Sequence, residues 1–466
     1  MKKVAKFSTN KQTLSIVKQF FKKSRIEQIA RLSEFVQRKS KLKAFDFMLS
    51  LMFARFDSEN NSLLEMSNQM EQHFDYSIKK QSIDERFNER TVEFFKQLIE
   101  EALSKKIALD IPKKYMEKFE TIRIQDSTSF QLPALLKEYY GGCGGNTTGA
   151  MTRIQFEYDL KRHSPCVLDV CSGVKQDVTH AKENIGNINE NDLIIRDLGY
   201  SCIDVFKKIH DKDAFYISKL RTSQLVYIKN KEGKFIAVSF KDVYNKLVTN
   251  NLNFLEKDVY LTKNEAYKIR LVVEQIPEDI YNQRIRKASI EAKKDKRQLT
   301  EEYKLRARMN IYITNTDSNM IEAKVVRQVY CIRWQIELMF KAWKTNLGID
   351  NVKKMKKERF ECQLYAKLLF IIITLKIYHV LNMDMIRNEK AILSYQKFMK
   401  NITNSLEKFM FCIINNMYKK ITDKLVKINT QKEQAVEMKK MKISSLHSIL
   451  SLSNSSEMLY IKYFTS

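Results

Sequence analysis

The chain has 466 residues, a formal net charge of +27 at pH 7 and a pI near 9.5. This length excludes a small module, because it can bury one sizeable core together with accessory parts. The positive charge indicates an anionic polymer or an anionic surface as the partner, and nucleic acid fits best.

The first 117 residues are predicted to be wholly helical. Ser82 to Glu85 matches a capping box, which predicts the start of a helix that carries apolar residues at helical spacing. A polar turn precedes it, and the pair of helices could form a helix-turn-helix DNA reader. Ordinary helical hairpins have the same pattern, so both interpretations stay open.

A first strand follows, in which Ile122 and Ile124 alternate with polar residues and Asp126 stands at the tip. Further strands are predicted at 154–158, 167–171, 193–195 and 215–220. The third of these leads into Asp197. If the two acid-bearing strands are parallel neighbours, their carboxyl ends coincide, and open α/β sheets place their sites at such ends.

Other acids compete with these two aspartates, since an aspartate at a strand end is more often a turn former than a ligand. The competitors are Asp159, Asp169 and Asp192. Asp126 and Asp197 are favoured as ligands because each directly follows an apolar run.

Residues 139–149 hold five of the ten glycines. A phosphate-binding loop of the Walker type would need Gly-Lys-Ser or Gly-Lys-Thr after its glycines, and neither occurs. A flexible connection between strands is the favoured interpretation.

The remaining boundaries follow from changes of pattern. Residues 118–221 form the first part of an α/β core, and 222–308 are a β-rich insertion that ends in a highly charged helix. Residues 309–350 return to the core through a strand and a helix. Residues 351–466 are predicted to be helical and lysine-rich.

The most apolar run, Leu368 to Leu375, is flanked by lysines and falls short of the ~20 residues that a bilayer requires. We therefore expect a buried helix and no membrane partner. The basic N-terminus is followed by no apolar segment or cleavage site of a secretory signal, so the protein is predicted to be cytoplasmic. The seven cysteines form no CxxC pair and the six histidines are dispersed, which supports neither a zinc finger nor a disulfide framework.

One uninterrupted helix is predicted from Tyr330 to Lys344. Side chains three to four residues apart share a face of a helix, so this helix should carry a single stripe of functional residues. The stripe comprises Tyr330, Arg333, Trp334, Glu337, Lys341 and Lys344. One acid among cations and aromatic rings indicates a site for a DNA phosphate. The alternative is a surface helix with i,i+4 ion pairs.

Asp126, Asp197 and Glu337 are three carboxylates far apart in the sequence of a strongly basic protein. Hard oxygen ligands of this kind suit Mg²⁺ or Mn²⁺. Two such ions in one site could activate the attacking oxygen and stabilise the leaving oxygen at a phosphodiester. The three carboxylates are therefore the predicted catalytic residues and metal ligands.

These motifs resemble a known family. The spacing Tyr330-x2-Arg333-x3-Glu337-x6-Lys344 matches the Tyr-Arg-Glu-Lys signature of the insertion-sequence-four (IS-four) family of DDE transposases, which includes Tn-five-like enzymes. Asp126 in Gln-Asp-Ser-Thr and Asp197 in Arg-Asp-Leu-Gly-Tyr are similar to the first and second catalytic aspartates of that family, in the same order. The resemblance covers about residues 118 to 350.

The resemblance implies an RNase H-like core with a mixed sheet and a β-rich insertion, flanked by helical regions. It implies that residues 1–117 bind the DNA ends and that 351–466 serve dimerisation. The reaction it implies is cut-and-paste transposition through a hairpin intermediate, on double-stranded DNA that carries terminal inverted repeats and on target DNA. A homodimer associated with the nucleoid would carry it out.

The resemblance also implies roles for single residues. Tyr330, Arg333 and Lys344 would hold phosphates near the cleaved end, and Trp334 would help to displace a base. Tn-five-like enzymes use a further tryptophan in the insertion, which this chain lacks, so an insertion aromatic is the candidate substitute. The candidates are Tyr227, Phe235 and Tyr244.

Two other classes stay open from the residues alone. One is an RNase H-like structure-specific nuclease or resolvase, which could keep the same carboxylates. The other is a non-catalytic DNA-binding derivative of a transposase, against which the intact set of three carboxylates argues.

Overall fold

The computed structural model describes residues 2–38, 40–54, 62–104, 118–142, 148–162, 164–263, 267–389, 391–429 and 435–437. Two hydrophobic cores lie on the two faces of a large central sheet. The larger core joins one sheet face to the N-terminal and C-terminal helices, and the smaller one lies under the helices of the other face.

The described part of the N-terminal region consists of helices. They are α1 (Lys2–Phe20), α2 (Lys23–Leu32), α3 (Ala44–Phe53), α4 (Leu63–Phe74), α5 (Lys80–Asp84) and α6 (Glu89–Ser104). The predicted helix start at Ser82 is wrong, because Ser82 lies inside α5 and the long helix begins at Glu89. The side chain of Asn88 accepts a hydrogen bond of 3.2 Å from the Thr91 backbone N–H and so caps α6 instead.

Ten strands within the described ranges form one mixed sheet in the order β3-β2-β1-β4-β5-β10-β9-β8-β6-β7. The strands are β1 (Thr121–Gln131), β2 (Met151–Asp159), β3 (Ser164–Ser172), β4 (Asp192–Arg196), β5 (Phe215–Lys219), β6 (Tyr227–Lys229), β7 (Phe235–Ala237), β8 (Phe254–Tyr260), β9 (Lys268–Gln275) and β10 (Met309–Thr314). β1, β4 and β5 are parallel and the other described pairs are antiparallel. The predicted α/β class with a mixed sheet is confirmed.

β1 is longer than predicted, and Asp126 lies in its middle rather than at its tip. Beyond Gln125 the strand loses its parallel partner β4 but continues to pair with β2 as far as Gln131. Asp126 therefore marks the point where the parallel pairing ends. The glycine-rich connection between β1 and β2 includes residues 143–147, which lie outside the described residues.

The strands of the insertion extend the central sheet rather than forming a separate one. β9 pairs with β10 of the core, and β8, β6 and β7 follow outwards. The helices of this segment are α9 (Phe240–Thr249), α10 (Glu278–Lys294) and α11 (Glu301–Arg306). α9 packs its buried side chains, among them Val243 and Leu247, into the smaller core.

The remaining helices complete the layers on the sheet and the C-terminal region. They are α7 (Asp177–Glu183), α8 (Ile203–His210), α12 (Ala323–Cys331), α13 (Trp334–Leu347), α14 (Lys357–Glu389), α15 (Tyr395–Thr403), α16 (Leu406–Ile414) and α17 (Tyr418–Asn429). Short 3₁₀ turns occupy Ala134–Leu136, Asn184–Asn187 and Leu198–Tyr200. A small hairpin pairs β11 (Ala391–Leu393) with β12 (Ala435–Glu437).

α14 is the central helix of the larger core. Its segment Lys357–Met385 is the one described helix long and apolar enough to cross a membrane, and the most apolar 18-residue stretch within it is completely buried. α1, α3 and α6 pack against it. Such complete burial is typical of the core helix of a globular protein, as predicted for the apolar run within it.

Candidate active site

The helix that carries the signature residues is interrupted, so the predicted continuous helix is wrong. α12 ends at Cys331 and α13 begins at Trp334. Between them the Ile332 and Arg333 backbone N–H groups donate to carbonyls three residues earlier, at 3.2 and 3.1 Å. This 3₁₀-type turn separates Tyr330, in α12, from the residues of α13.

Tyr330 is buried instead of lining an exposed stripe. Its side chain packs against Tyr312 of β10, with ring centroids 5.3 Å apart, and the residue is 3% exposed. The Arg333 guanidinium carbon lies 6.0 Å from the Tyr330 ring centroid. The Tyr330 ring therefore lies on the buried side of the Arg333 guanidinium in this structure.

The three predicted carboxylates converge on the guanidinium of Arg333. Arg333 Nη2 lies 2.7 Å from Glu337 Oε1 and 3.5 Å from Asp197 Oδ1. Arg333 Nη1 forms an ion pair with Asp126 Oδ2. Residues separated by more than 200 positions in the chain thus meet around one positive charge.

The sheet register explains why the two aspartates meet. Gln125 of β1 pairs in parallel with Arg196 of β4, so Asp126 and Asp197, the next residues, leave the paired region side by side. α13 packs against β1 and brings Glu337, in its first turn, to the same point. The condition stated for the two acid-bearing strands, that they are parallel neighbours, is met.

Burial raises the pKa of Asp126 to about 6, and repulsion from Asp197 and Glu337 adds to the rise. Two contacts act in the opposite direction and lower the pKa of Asp126. They are the positive charge of Arg333 and the backbone N–H of Ser127, which donates a hydrogen bond of 2.8 Å to Asp126 Oδ1. Asp126 is the innermost of the three acids, with 16% of its side chain exposed against 44% for Asp197 and 42% for Glu337. The cluster is therefore open to solvent on the side of the latter two.

Burial alone would lower the pKa of Arg333, but the Tyr330 hydroxyl and the three carboxylates raise it above its ordinary value. The guanidinium therefore stays charged at every pH of interest. It neutralises part of the mutual repulsion of the three acids.

The other predicted DNA contacts lie along α13 in different settings. Trp334 is 38% exposed at the start of the helix, and Lys341 is exposed one turn beyond Glu337. Lys344 Nζ donates to the Ser129 carbonyl of β1 at 3.0 Å. Trp334, Lys341 and Lys344 therefore share α13 with Glu337, and no contact of the two lysines with the three carboxylates is seen among the described residues.

Lys219 is a residue of this site that the sequence analysis missed. Ile195 of β4 pairs with Ile217 of β5, so Lys219 stands level with Asp197 on the same face. Its Nζ lies 5.4 Å from the Tyr330 ring centroid. The period-2 pattern of the strand could have placed Lys219 on this face, but only the strand order shows that it neighbours Asp197.

The donor chemistry of the cluster fits a divalent metal. Three carboxylates facing one positive group are the hard oxygen set that Mg²⁺ or Mn²⁺ prefers. In the described part of the chain, however, no three acidic, histidine or cysteine side chains are close enough to hold a metal ion as they stand. Arg333 lies between the three acids, so metal binding requires the guanidinium to move.

Residues 117–373, more than half of the chain, match the family described as transposase DDE domain. The chain belongs to this family and is a DNA-cleaving transposase. The matched segment contains all three carboxylates and the whole sheet.

Curated relatives are transposases of insertion sequences. The chain is 30% identical over 417 residues to the transposase for insertion sequence element IS1151 of Clostridium perfringens, which covers 86% of this chain and 88% of the relative. It is 30% identical over 360 residues to the transposase for insertion sequence element IS231E of Bacillus thuringiensis subsp. finitimus. That alignment covers 74% of this chain and 75% of the relative. Among solved structures, a piggyBac transposase synaptic complex with hairpin DNA aligns with a TM-score of 0.45 at 10% identity, covering 92% of this chain and 89% of that chain.

Proposed function

We propose that this transposase belongs to the IS-four subfamily and moves an insertion sequence by cut-and-paste, through metal-dependent hydrolysis and strand transfer. The observation that carries the proposal is the contact of Asp126, Asp197 and Glu337 with one guanidinium. In an ion pair that serves only stability, one carboxylate is enough to balance the charge of one arginine. Three acids around a single cation, two of them open to solvent, are the arrangement of a cation site.

Asp126, Asp197 and Glu337 are the residues that would hold two Mg²⁺ or Mn²⁺ ions. Bound there, such ions would supply Lewis-acid activation of water and charge stabilisation at the phosphodiester. The chain itself contributes rigidity, because Asp126 is fixed in the sheet and accepts a hydrogen bond from the Ser127 backbone N–H.

Arg333 has two functions in this proposal. Without DNA it holds the three carboxylates together, as in the described structure. In the DNA complex it turns from the acids to a phosphate, to which its planar fork can donate two parallel hydrogen bonds. The 3₁₀-type turn at Arg333 favours this movement, because the residue stands between two helices rather than inside one.

The cations and aromatic residues around the cluster would position the cleaved end. Lys219, Lys341 and Lys344 are placed to bind phosphates, with Lys219 beside Asp197 and the other two along α13. Trp334 presents an indole to solvent next to Arg333 and is the candidate to displace a base in a hairpin intermediate. The partners would be the terminal inverted repeats and target DNA, bound in the cytoplasm by a homodimer.

The decisive experiment replaces Asp126 by Asn and follows DNA from the element end on a denaturing gel with Mg²⁺. Replacing a residue that merely hydrogen-bonds a metal ligand already costs about 10- to 100-fold, so loss of a ligand itself should reduce cleavage by at least about a hundredfold. DNA binding should persist, because Asp126 is not a DNA contact. The matched control is Asp204→Asn on α8, an exposed carboxylate paired with Lys182 away from the cluster. Cleavage by Asp126→Asn at the wild-type rate would refute the proposal.

A further inference from the structure

The far end of the sheet carries a surface on which aromatic rings and lysines alternate. Its residues are Tyr227 and Lys229 of β6, Phe235 of β7, Tyr260 at the end of β8, and Lys263 just beyond it. We call these five residues the distal face. Lys229 Nζ lies 5.1 Å from the Phe235 ring centroid and 5.5 Å from that of Tyr260. Lys263 Nζ lies 5.3 Å from the Tyr227 ring centroid.

The distal face points to the same side of the sheet as the carboxylate cluster. Residues that pair directly on neighbouring strands project to one face, and so do residues two positions apart on a strand. The register connects the pairs Ile124–Ile195, Ile195–Ile217, Ile217–Thr314, Thr314–Arg270, Arg270–Asp258 and Tyr260–Tyr227. Asp126 follows Ile124 by two residues, so Asp126 and Tyr227 share a face.

α12 covers this face of the sheet only in part. It packs on β5, β10, β9 and β8, and β6 and β7 extend beyond it. Lys229 and Lys263 are exposed, whereas the three rings of the distal face are half-buried. The distal face is therefore accessible from the same side as the active site.

The charges of the distal face suit an anion. Each of the two lysines contacts an aromatic ring, and a ring carries no net charge that could offset that of the ammonium group. The acids that share this side of β8 form ion pairs with β9, since Asp258 pairs with Lys268 at 2.6 Å and Glu256 with Arg270 at 2.5 Å. For these described residues of β6, β8 and β9 together with Lys263, the sum of the charges is positive.

The ring contacts decide between two modes of DNA binding. An unpaired base would need a free ring face, but Lys229 lies over the rings of Phe235 and Tyr260 and Lys263 over that of Tyr227. The lysines, by contrast, can reach phosphates directly. The backbone of a duplex therefore fits this surface better than a stacked base does, which argues against Tyr227 and Phe235 as substitutes for the missing insertion tryptophan.

The distance of the distal face from the cluster can be derived from the strand order. Lys229 lies on β6, which is five strands away from β4 in the sheet. At ~4.8 Å per strand this amounts to roughly 24 Å along the sheet. Duplex DNA rises ~3.4 Å per base pair, so a duplex lying across the face spans this distance in about seven base pairs.

We propose that the distal face binds the phosphate backbone of duplex DNA about seven base pairs from the cleaved bond. This inference rests on the proposed function, which places the cleaved bond at the carboxylate cluster. Lys229 and Lys263 form the ionic contacts, and the rings hold the two lysines towards the DNA.

The test uses the full chain and fluorescein-labelled duplexes of the element end, extended by about 5 or about 15 base pairs on either side of the cleaved bond. The variant is Lys229→Gln with Lys263→Gln. The matched control is Lys241→Gln with Lys246→Gln, two lysines of α9, which covers the opposite sheet face. A third variant carries Arg at both positions of the distal face.

We expect the Gln variant to bind the long duplex about tenfold more weakly and to lose about two units of slope in the plot of log affinity against log salt. Its affinity for the short duplexes and its cleavage rate at saturating protein should equal those of the wild type. The Arg variant should bind as the wild type does, since it keeps both charges.

Three outcomes would overturn the inference: an equal loss on the short duplexes, no loss on the long one, or an equal loss in the control. An equal loss on the short duplexes would mean that these lysines contact DNA close to the cleaved bond. No loss on the long duplex would mean that they do not contact DNA. An equal loss in the control would mean that the weaker binding reflects only the lower net charge of the protein. Failure of the proposed function would appear separately, as cleavage by Asp126→Asn, whereas this assay measures binding.

Discussion

Glu337 Oε1 accepts a hydrogen bond of 2.7 Å from Nη2 of Arg333, four residues earlier in the chain and on the other side of the helix start. The same guanidinium contacts Asp126 and Asp197, so one side chain neutralises an acidic cluster drawn from three elements. In this structure Arg333 takes the position between the acids that a divalent cation would need.

This competition predicts an unusual effect of metal on stability. Arg333→Gln should lower the melting temperature in EDTA, because the three acids then repel one another without a cation. Mg²⁺ should raise the melting temperature of the variant more than that of the wild type, since a ligand stabilises the state that binds it more tightly. Thermal unfolding in EDTA and in a Mg²⁺ series measures both effects.

The control for this prediction is Arg327→Gln, another partly buried arginine in an ion pair, with Glu274 at 3.2 Å. It should be destabilised without any additional response to Mg²⁺. Equal Mg²⁺-dependent shifts in wild type and Arg333→Gln would show that the guanidinium and the metal do not compete.

Lys219 provides a second prediction, based on its position beside Asp197 and over the Tyr330 ring. Lys219→Gln should weaken binding of the DNA end and reduce the salt slope by about one, as expected for one lost phosphate contact. Lys219→Arg should restore most of the binding. Lys208→Gln on α8, an exposed lysine on the opposite side of the sheet, controls for the lost charge. An unchanged salt slope in Lys219→Gln would exclude a phosphate contact.

The sequence predicted those parts of the site that depend on local periodicity. Alternation along Ile122 to Asp126 and the apolar run before Asp197 are sufficient to predict two strands, whereas their parallel pairing is only a condition at that stage and is seen in the structure. The structure differs from the sequence prediction where contacts between residues far apart in the chain determine the local conformation. The helix break at Arg333 coincides with the packing of Tyr330 on Tyr312 and with the ion pair to Asp126, neither of which local sequence contains.

Two further differences have the same origin. Ser82 and Asn88 are both good N-cap residues, so the local pattern could not show which of them begins the long helix. β8 lies within the insertion predicted to be β-rich, but the sequence does not mark it as a separate strand, because its middle is exposed and Glu256, Lys257 and Asp258 interrupt any alternation of apolar residues. Pairing with β9 along its whole length, which includes ion pairs across the strands, stabilises β8 nonetheless.

Trp334 provides a third prediction, which separates two chemical steps. Trp334→Ala should leave the first nick close to the wild-type rate and reduce hairpin formation, because displacing a base costs a few kcal/mol that stacking on an indole offsets. Trp334→Phe should retain part of the hairpin yield. Time courses on denaturing gels quantify the two products. An equal loss of both products in Trp334→Ala would argue against a base-displacing role.

The fourth prediction concerns Lys367, which lies 6% exposed within the apolar core helix α14. Burial lowers the pKa of its ammonium from 10.5 to about 7, and Asp350 opposes the shift only in part. The unfolded chain therefore binds a proton more tightly than the folded one. Below pH 7 the folded protein bears the full cost of a buried charge, and this cost disappears as the pH rises from 7 to about 10.5.

Replacing Lys367 by Met removes this cost and should stabilise the protein most at pH 6 to 7, by up to about 5 kcal/mol for a pKa shift from 10.5 to about 7 at ~1.4 kcal/mol per pH unit. The advantage of the variant should shrink by about 1.4 kcal/mol per pH unit above 7, because the wild type becomes more stable as Lys367 loses its proton. Denaturant unfolding of both proteins between pH 6 and pH 9.5 measures the difference, with the exposed Lys354→Met as a control for loss of a charge. A difference between Lys367→Met and wild type that stays constant over this range would mean that Lys367 does not titrate there in the folded protein.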